Sequence, residues 1–273
     1  MINLASNWFL TQTEADEYVK PSELSGESTS WLPAMVPGTV AQAFAAVGKW
    51  TINDRFDFDA NDYWYKSHFS YSGLKNNQPV TLCFDGLATL CTVWLNGELI
   101  LDSRNMFVSH RIDVSSLLKN NNELYLCFRS LTKELSVKRP RPRWKTKVVG
   151  QQQLRWIRTT LLGRIPGWTP PVAAVGPWKA ISIHDDVAPT NVTLISKLQG
   201  TQGVVKFSCD CFLSDKSSVS ALLILGNESQ DLKVKQSGNE FNISGTLTIS
   251  NPKLWWPHTH GESHLYDVSL EIT

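Results

Sequence analysis

Short apolar runs separated by turn residues constrain the fold of this chain more than any other feature. Cys91–Leu95 leads into Asn96–Gly97, a dipeptide typical of tight β-hairpins, and Glu98–Leu101 returns along it. Val80–Phe84 and Leu124–Phe128 are apolar on both faces, as the central strands of a sandwich are. Such runs recur along the whole chain, and no long stretch keeps the helical period of about 3.6 residues. The pattern therefore predicts an all-β protein.

A break between strand-like runs near Asp185–Thr190, with closer spacing of the runs after it, divides the chain into two predicted domains. Before it, the strand spacing predicts an antiparallel sandwich or jelly roll, with one short helix at Val40–Val47. After it, five or six strand-like runs follow in fewer than ninety residues. This number and spacing of strands are typical of an immunoglobulin-like sandwich, here without paired cysteines. We therefore predict domains at residues 1–186 and 187–273.

Composition and charge exclude several classes of protein. The formal net charge is +1 over 273 residues, so the whole chain has no general attraction for nucleic acid, and we expect no such partner. No apolar run approaches the roughly 18 residues of a membrane span, and the N-terminus lacks the pattern of a signal peptide. We expect a cytoplasmic protein without membrane contact, or a periplasmic one if a leader has been removed.

Cysteine and histidine patterns indicate neither a metal nor a cofactor. The five cysteines lie in apolar β-patterned runs without CxxC spacing, which predicts buried free thiols. His258, His260 and His264 share one loop, which by itself is weak evidence for a metal site. No glycine-rich phosphate loop occurs, so no cofactor is expected.

The segment Asn251–His258 carries two adjacent tryptophans, Trp255 and Trp256, between two prolines. A β-patterned run, Leu265–Ile272, follows, and the chain ends there. Such a strand seldom ends a self-sufficient domain, because strand edges are usually capped or covered. We therefore expect the front part of a longer protein, truncated at the last strand of its second domain. The two tryptophans are expected to plug the core under the edge of that sandwich.

Several motifs in a fixed order resemble glycoside hydrolase family 2, which includes β-galactosidases, β-glucuronidases and β-mannosidases. The segment at 251–257 is similar to the end of the family's immunoglobulin-like domain, and Phe84–Gly97 matches the centre of its N-terminal jelly roll. Further matches lie at residues 36–40, 61–65, 105–107, 110–114, 167–168 and 176–179. The resemblance implies a jelly-roll, galactose-binding-like β-sandwich followed by an immunoglobulin-like β-sandwich.

The resemblance also implies a function. In family 2 both catalytic carboxylates lie on a C-terminal barrel, and no Asp or Glu of this chain occurs in that context, so we assign no catalytic residue. We expect the non-catalytic N-terminal part of a retaining exo-β-glycosidase, inactive alone, whose partners are its own catalytic barrel and a β-linked glycoside. The alternative is a stand-alone carbohydrate-binding module, because a sandwich fold serves both roles.

Two substrate-binding candidates come from the same resemblance. The loops that carry Asn105 and Trp168 are those that approach the substrate pocket in the family. An asparagine amide suits vicinal sugar hydroxyls, and tryptophan offers a flat apolar face to a pyranose ring. The alternative is that Asn105 caps a turn and Trp168 packs against the barrel. β-Mannosidases have an aspartate after this tryptophan, whereas this chain has Thr169, so mannose specificity does not carry over.

The residues between 138 and 179 combine positive charges with aromatic side chains and contain no Asp or Glu. Prolines and glycines in this stretch predict a long loop over the sandwich. Three roles are open: contact with acidic groups of another domain or subunit, a rim of the active site, or a nucleic-acid surface. The residues concerned are Lys138, Arg139, Arg141, Arg143, Lys145, Lys147, Arg155, Arg158, Arg164, Lys179, Trp144, Trp156, Trp168 and Trp178.

Overall fold

The computed structural model describes residues 1–24, 30–72, 80–140, 143–185, 189–212, 218–238 and 240–273. The described chain divides into two compact units, one before residue 186 and one after residue 188. The predicted boundary between residues 186 and 187 lies outside the described residues, so the position of the division stays a prediction.

The first unit contains ten strands and two short helices in its described part. Its strands are β1 Ile2–Asn3, β2 Trp8–Thr13, β3 Leu32–Ala34, β4 Asp62–Ser70, β5 Thr81–Phe84, β6 Cys91–Leu95, β7 Glu98–Ser103, β8 His110–Asp113, β9 Asn121–Phe128 and β10 Ile181–His184. The helices are α1 Val40–Ala46 and α2 Leu131–Ser136, and two 3₁₀ segments lie at Pro21–Leu24 and Gln152–Trp156.

Alternation of side chains along the strands makes this unit a sandwich. One antiparallel sheet has the order β3-β2-β4-β9-β6-β7, and the other has the order β1-β10-β5-β8. Tyr63 and Tyr65 of β4 share a buried cluster with Leu82 of the second sheet. Trp64 lies on the opposite face and stacks on Trp94, with ring centroids 5.4 Å apart. The larger sheet is therefore buried on both faces here. Leu124–Phe128, one of the two runs predicted to form central strands, lies in β9 of this sheet.

The two helices differ in how well the sequence predicts them. α1 begins after Thr39, whose side chain accepts a hydrogen bond from Gln42 N, and the predicted short helix is confirmed. The sequence pattern misses α2, because six residues are too few to show a period. Ser130 caps α2 by accepting a hydrogen bond from Lys133 N at 3.1 Å. No helix in the described ranges is long and apolar enough to cross a membrane.

The second unit is a smaller sandwich with seven strands in its described part. They are β11 Thr190–Gln199, β12 Gln202–Phe212, β13 Ala221–Leu225, β14 Glu228–Asp231, β15 Lys233–Ser237, β16 Glu240–Ser250 and β17 Val268–Ile272. The sheet orders are β11-β12-β16-β15 and β14-β13-β17. Leu223, Phe241 and Ile243 are fully or almost fully buried in its core. The sequence pattern misses β14 because its four residues are all exposed and polar.

All five cysteines are free and buried, which confirms the prediction. Burial raises the pKa of the Cys91 and Cys127 thiols well above their ordinary value. Burial, reinforced by the neighbouring Cys209, raises the pKa of Cys211 to about 12. These three side chains are therefore neutral core groups at physiological pH rather than nucleophiles.

The tryptophan pair of the C-terminal segment does not plug the core, so that prediction is wrong. Trp255 is 56% exposed and Trp256 is 49% exposed. They lie in a small hairpin, in which Trp256 N donates to Glu262 O at 2.9 Å and Trp255 pairs with Ser263. This local pairing satisfies the backbone outside the sandwich and keeps both rings at the surface.

Candidate functional site

The structure places Asn105 half-buried in the loop between β7 and β8. Its Oδ1 accepts a hydrogen bond from Phe107 N at 3.0 Å, so the residue caps a turn. Among the described residues, its Nδ2 has no hydrogen-bond partner. Asn105 therefore uses its oxygen for the fold, and the described residues leave its two Nδ2 N–H donors unused.

Trp168 lies at the tip of the loop formed by residues 161–172, and 73% of it is exposed. Gly167, just before it, has a φ of +94°, in the left-handed region that favours glycine. Behind the tip, Gly163 N donates to Thr169 Oγ1 at 2.7 Å. Thr169 stands where the resemblance expects an aspartate, and its hydroxyl folds the loop.

A buried ion pair fixes the base of this loop. Arg164 Nε and Nη2 donate to the two carboxylate oxygens of Asp59, each at 2.7 Å. Only 5% of the Arg164 side chain is exposed. Arg164 also donates to Thr160 O at 3.1 Å and to Ala174 O at 3.2 Å. Bidentate, charge-assisted bonds are strong and directional, so one guanidinium ties both sides of the loop to the sandwich.

The loops of the two candidate residues share an anchored segment at residues 158–160. Met106, the neighbour of Asn105, donates from its backbone N to the carbonyl oxygen of residue 158 at 3.0 Å. Its Sδ accepts a hydrogen bond from Thr160 N at 3.0 Å. Because Arg164 holds the carbonyl oxygen of Thr160, the structure joins the loops of Asn105 and Trp168 through their bases.

A cleft of about 810 Å³ flanks the ion pair. Leu135 and Leu154 contribute apolar surface to it, and Asp57 and Asp59 are the two carboxylates that line it. Asp59 uses both oxygens on Arg164, and Asp57 Oδ1 accepts a hydrogen bond from Asp59 N at 3.0 Å. Both carboxylates therefore serve the local fold.

Part of the basic segment is paired inside the chain. Arg139 pairs with Glu134, and Arg164 pairs with Asp59. The expectation that arginines here pair with acidic groups outside the chain is wrong for these two, because folding brings carboxylates of the same unit to them. Arg141 lies outside the described residues. No described carboxylate pairs with Lys138, Arg143, Lys145, Lys147 or Arg158.

Sequence reasoning missed Asp59 and its pairing with Arg164. The two residues are 105 positions apart, so no local spacing connects them. One signal was present: aromatic and acidic residues alternate in Phe56–Asp59, just before β4. A carboxylate buried among aromatic rings needs a cation or several donors. The pattern thus indicates a buried acid, but it does not say which basic residue pairs with it.

Two family models match consecutive parts of the chain. The model described as "Glycosyl hydrolase 2 galactose-binding domain-like" matches residues 8–179. The model described as "Glycosyl hydrolases family 2" matches residues 183–273. The chain belongs to glycosyl hydrolase family 2. The predicted fold class is confirmed, because this family 2 chain consists of a jelly-roll, galactose-binding-like sandwich followed by an immunoglobulin-like sandwich.

Relatives of this family 2 chain are much longer than the chain itself. Beta-mannosidase B of Aspergillus clavatus is 26% identical over 275 residues, covering 93% of this chain and 32% of the relative. The structure of beta-D-mannosidase from Dictyoglomus thermophilum has a TM-score of 0.80 at 21% identity, covering 100% of this chain and 34% of that one. An exo-chitosanase of Amycolatopsis orientalis has a TM-score of 0.66 at 14% identity, covering 99% and 32%. The chain spans about a third of their length.

Proposed function

We propose that this family 2 chain is the non-catalytic N-terminal part of a retaining exo-β-glycosidase of the β-mannosidase type. The observation that carries the proposal is the coverage: 93% of the chain aligns with beta-mannosidase B of Aspergillus clavatus, but the alignment covers only 32% of that relative. The remaining length leaves room for a catalytic domain. We place the two glycosidase carboxylates there, on a barrel.

In this proposal, the first sandwich forms one wall of the active site and braces the barrel. Trp168 supports this role, because a largely exposed tryptophan on an anchored loop offers a rigid apolar face to a sugar ring or a barrel loop. Asn105 supplies its Nδ2 donors beside a loop that its own oxygen folds. The ligand is a β-linked glycoside, and residues of the barrel select the sugar.

A stand-alone carbohydrate-binding module is the second candidate. The cleft of about 810 Å³ favours it, because both apolar and polar side chains line the cleft and a sugar ring needs both kinds of contact. Calorimetric titration of the 273-residue chain with mannose, glucose, galactose and their β-linked disaccharides separates the two proposals. Dissociation constants of about 1 mM or tighter support the module. Absence of binding by a correctly folded chain supports the wall of a larger active site.

The chain alone is expected to hydrolyse no nitrophenyl β-glycoside. No Asp or Glu of the chain occurs in the family's catalytic context, and Asp59 in the cleft uses both carboxylate oxygens on Arg164. The assay uses the purified 273-residue chain with several β-glycosides. Turnover that disappears on a single Asp or Glu substitution within the chain would contradict the proposal.

Asn105→Ala and Trp168→Ala test the wall in an enzyme that includes the barrel. Each is expected to lower kcat/KM about tenfold or more, because a misplaced substrate reacts slowly. Trp168→Ala should change the free energy of unfolding by less than about 0.5 kcal/mol, because the side chain is 73% exposed. Trp255→Ala is the matched control, since that tryptophan is 56% exposed and lies in the second unit.

The control variant is expected to keep wild-type kinetics. If Asn105→Ala and Trp168→Ala also kept wild-type kinetics, or lost activity only through unfolding, the two loops would have only a structural role. The substrate-binding assignment would then be wrong.

A further inference from the structure

Arg164 binds carbonyl groups on both sides of the loop that presents Trp168. Besides the carboxylate of Asp59, its guanidinium donates to Thr160 O and to Ala174 O. We infer that Arg164 is a positioning residue, which sets the place of the Trp168 ring at the surface. The inference depends on the proposed function only for the sugar that Trp168 would contact, because the positioning can be measured on the chain itself.

The partner of Arg164 is itself held on a fixed frame. Asp59 O accepts hydrogen bonds from Ser130 Oγ at 2.8 Å and from Thr132 N at 3.0 Å. Ser130 is the N-cap of α2, so the backbone of Asp59 is fastened to the start of a helix. Only 11% of the Asp59 side chain is exposed. The guanidinium is therefore aligned by a carboxylate that has little freedom to move.

The loop above the ion pair is closed on itself. Gly163 has a φ of +79°, and an added Cβ there would collide with Val172 O. Gly163 N donates to Thr169 Oγ1 at 2.7 Å, and Val172 N donates to Pro170 O at 2.8 Å. The bond from Gly163 N to Thr169 Oγ1 and the close approach of Gly163 to Val172 join the two limbs of the loop just behind its tip, and the bond from Val172 N to Pro170 O lies within the second limb. A displacement of Arg164 at the base is therefore transmitted to Trp168.

The contacts of Arg164 are better suited to fixing the position of the Trp168 loop than to stabilising the fold. A buried ion pair adds little net stability, because the loss of hydration offsets most of the attraction. A planar guanidinium, in contrast, fixes the direction of each acceptor around it. Arg164 engages acceptors on three separate segments of the first unit, those of Asp59, Thr160 and Ala174. Its geometry thus fixes where the loop lies.

The first unit offers a matched control in Arg129. Its Nη1 donates to Asp62 Oδ2 at 2.8 Å and to Tyr18 O at 2.7 Å, and its Nη2 donates to Val19 O at 3.0 Å. Like Arg164, it links a buried carboxylate to the carbonyl groups of an irregular segment. Its segment does not contain Trp168. We call such an arginine, with its carboxylate and carbonyl partners, a clamp. Replacing Arg129 therefore reproduces the loss of a clamp without changing the Trp168 loop.

The test labels the 273-residue chain with 5-fluorotryptophan and follows the ¹⁹F signal of Trp168, assigned with Trp168→Phe. Arg164→Lys is expected to shift or broaden that signal, because an ammonium group cannot reach the carboxylate and both carbonyls together. Arg129→Lys is expected to leave the Trp168 signal in place, although it also weakens a clamp. An unchanged Trp168 signal in folded Arg164→Lys would overturn the inference.

A second variant and a kinetic measurement complete the test. Asp59→Asn keeps the size of the side chain and serves if Arg164→Lys does not fold, with the same displacement expected. In an enzyme that includes the barrel, Arg164→Lys should lower kcat/KM about tenfold or more, and Arg129→Lys should change it less than about twofold. If Trp168→Ala leaves the kinetics unchanged while Arg164→Lys moves the signal, the proposed function fails and the positioning role stands.

Discussion

The two sandwiches of this chain stabilise their irregular segments in different ways. The first unit uses buried charge, because Arg164 with Asp59 and Arg129 with Asp62 each fasten a loop from inside. In the described part of the second unit, no ion pair is found. Turns there pass through open glycines such as Gly200, which has no neighbour within 4 Å of an added Cβ.

The presence of such ion pairs in the first unit alone, within the described residues, indicates where burying polar groups is worthwhile despite their loss of hydration. Strands joined by short turns need only alternating apolar residues, and the second unit follows that rule. A long loop that must present one side chain at a fixed place needs directional contacts beneath it. Of the two ion pairs, the one between Arg164 and Asp59 lies under Trp168, in the region where we propose contact with a sugar.

Core truncations test most strongly whether the two sandwiches are separate energetic units. Phe128 in the first unit and Ile243 in the second are fully buried. Phe128→Ala is expected to cost about 3–5 kcal/mol and Ile243→Ala about 2–5 kcal/mol, because each leaves a cavity. Each variant should lower one thermal transition in scanning calorimetry and spare the other. Hydrogen exchange in β9 and β16 assigns the transitions. A single transition that both variants shift equally would break the comparison.

Glycine substitutions sharpen the contrast between crowded and open turns. Gly163 and Gly200 both have positive φ values, +79° and +61°, but only Gly163 is crowded by a carbonyl. Gly200→Ala is expected to cost about 1–2 kcal/mol from the left-handed backbone alone. Gly163→Ala should cost about 1 kcal/mol more, because Val172 O must also move. Urea unfolding measures both, and equal costs would show that the loop yields easily.

Acid titration is expected to give the smallest effect, confined to the second unit. Hydrogen bonds from Asn242 and Asn191 hold the pKa of Asp210 below its ordinary value of 3.8. The stabilisation is present above that value and is lost as the pH falls through the lowered pKa. Asn242→Ala should therefore flatten the acid dependence of the second unit's transition as the pH falls below the ordinary value of 3.8. An unchanged slope would mean that Asp210 contributes nothing.

The sequence predicts those parts of the fold that depend on neighbouring residues. The β6–β7 hairpin follows from Asn96–Gly97, whose positive φ values of 54° and 89° match the expected tight turn. The default that apolar residues are buried fails at Trp255 and Trp256, because a local hairpin holds them outside the core. The clamp under Trp168 depends on residues far apart in the chain, so no local pattern reveals it. The roles of Asn105 and Trp168 stay predictions.

The clamp beneath the Trp168 loop also affects how this surface can diversify. The contacts that fold the loop are those of Gly163 with Thr169 and of Arg164 with Asp59. Gly167 and Trp168 lie beyond them at the tip. Substitutions of Trp168 are thus decoupled from the sandwich, whereas Gly167 is needed for the left-handed backbone at φ +94°. The exposed side chain at position 168 can therefore be exchanged while the contacts behind it stay in place. A library that varies residue 168 and keeps Gly167, Arg164, Asp59 and Thr169 would therefore sample new surfaces at this tip without removing the contacts that hold the loop.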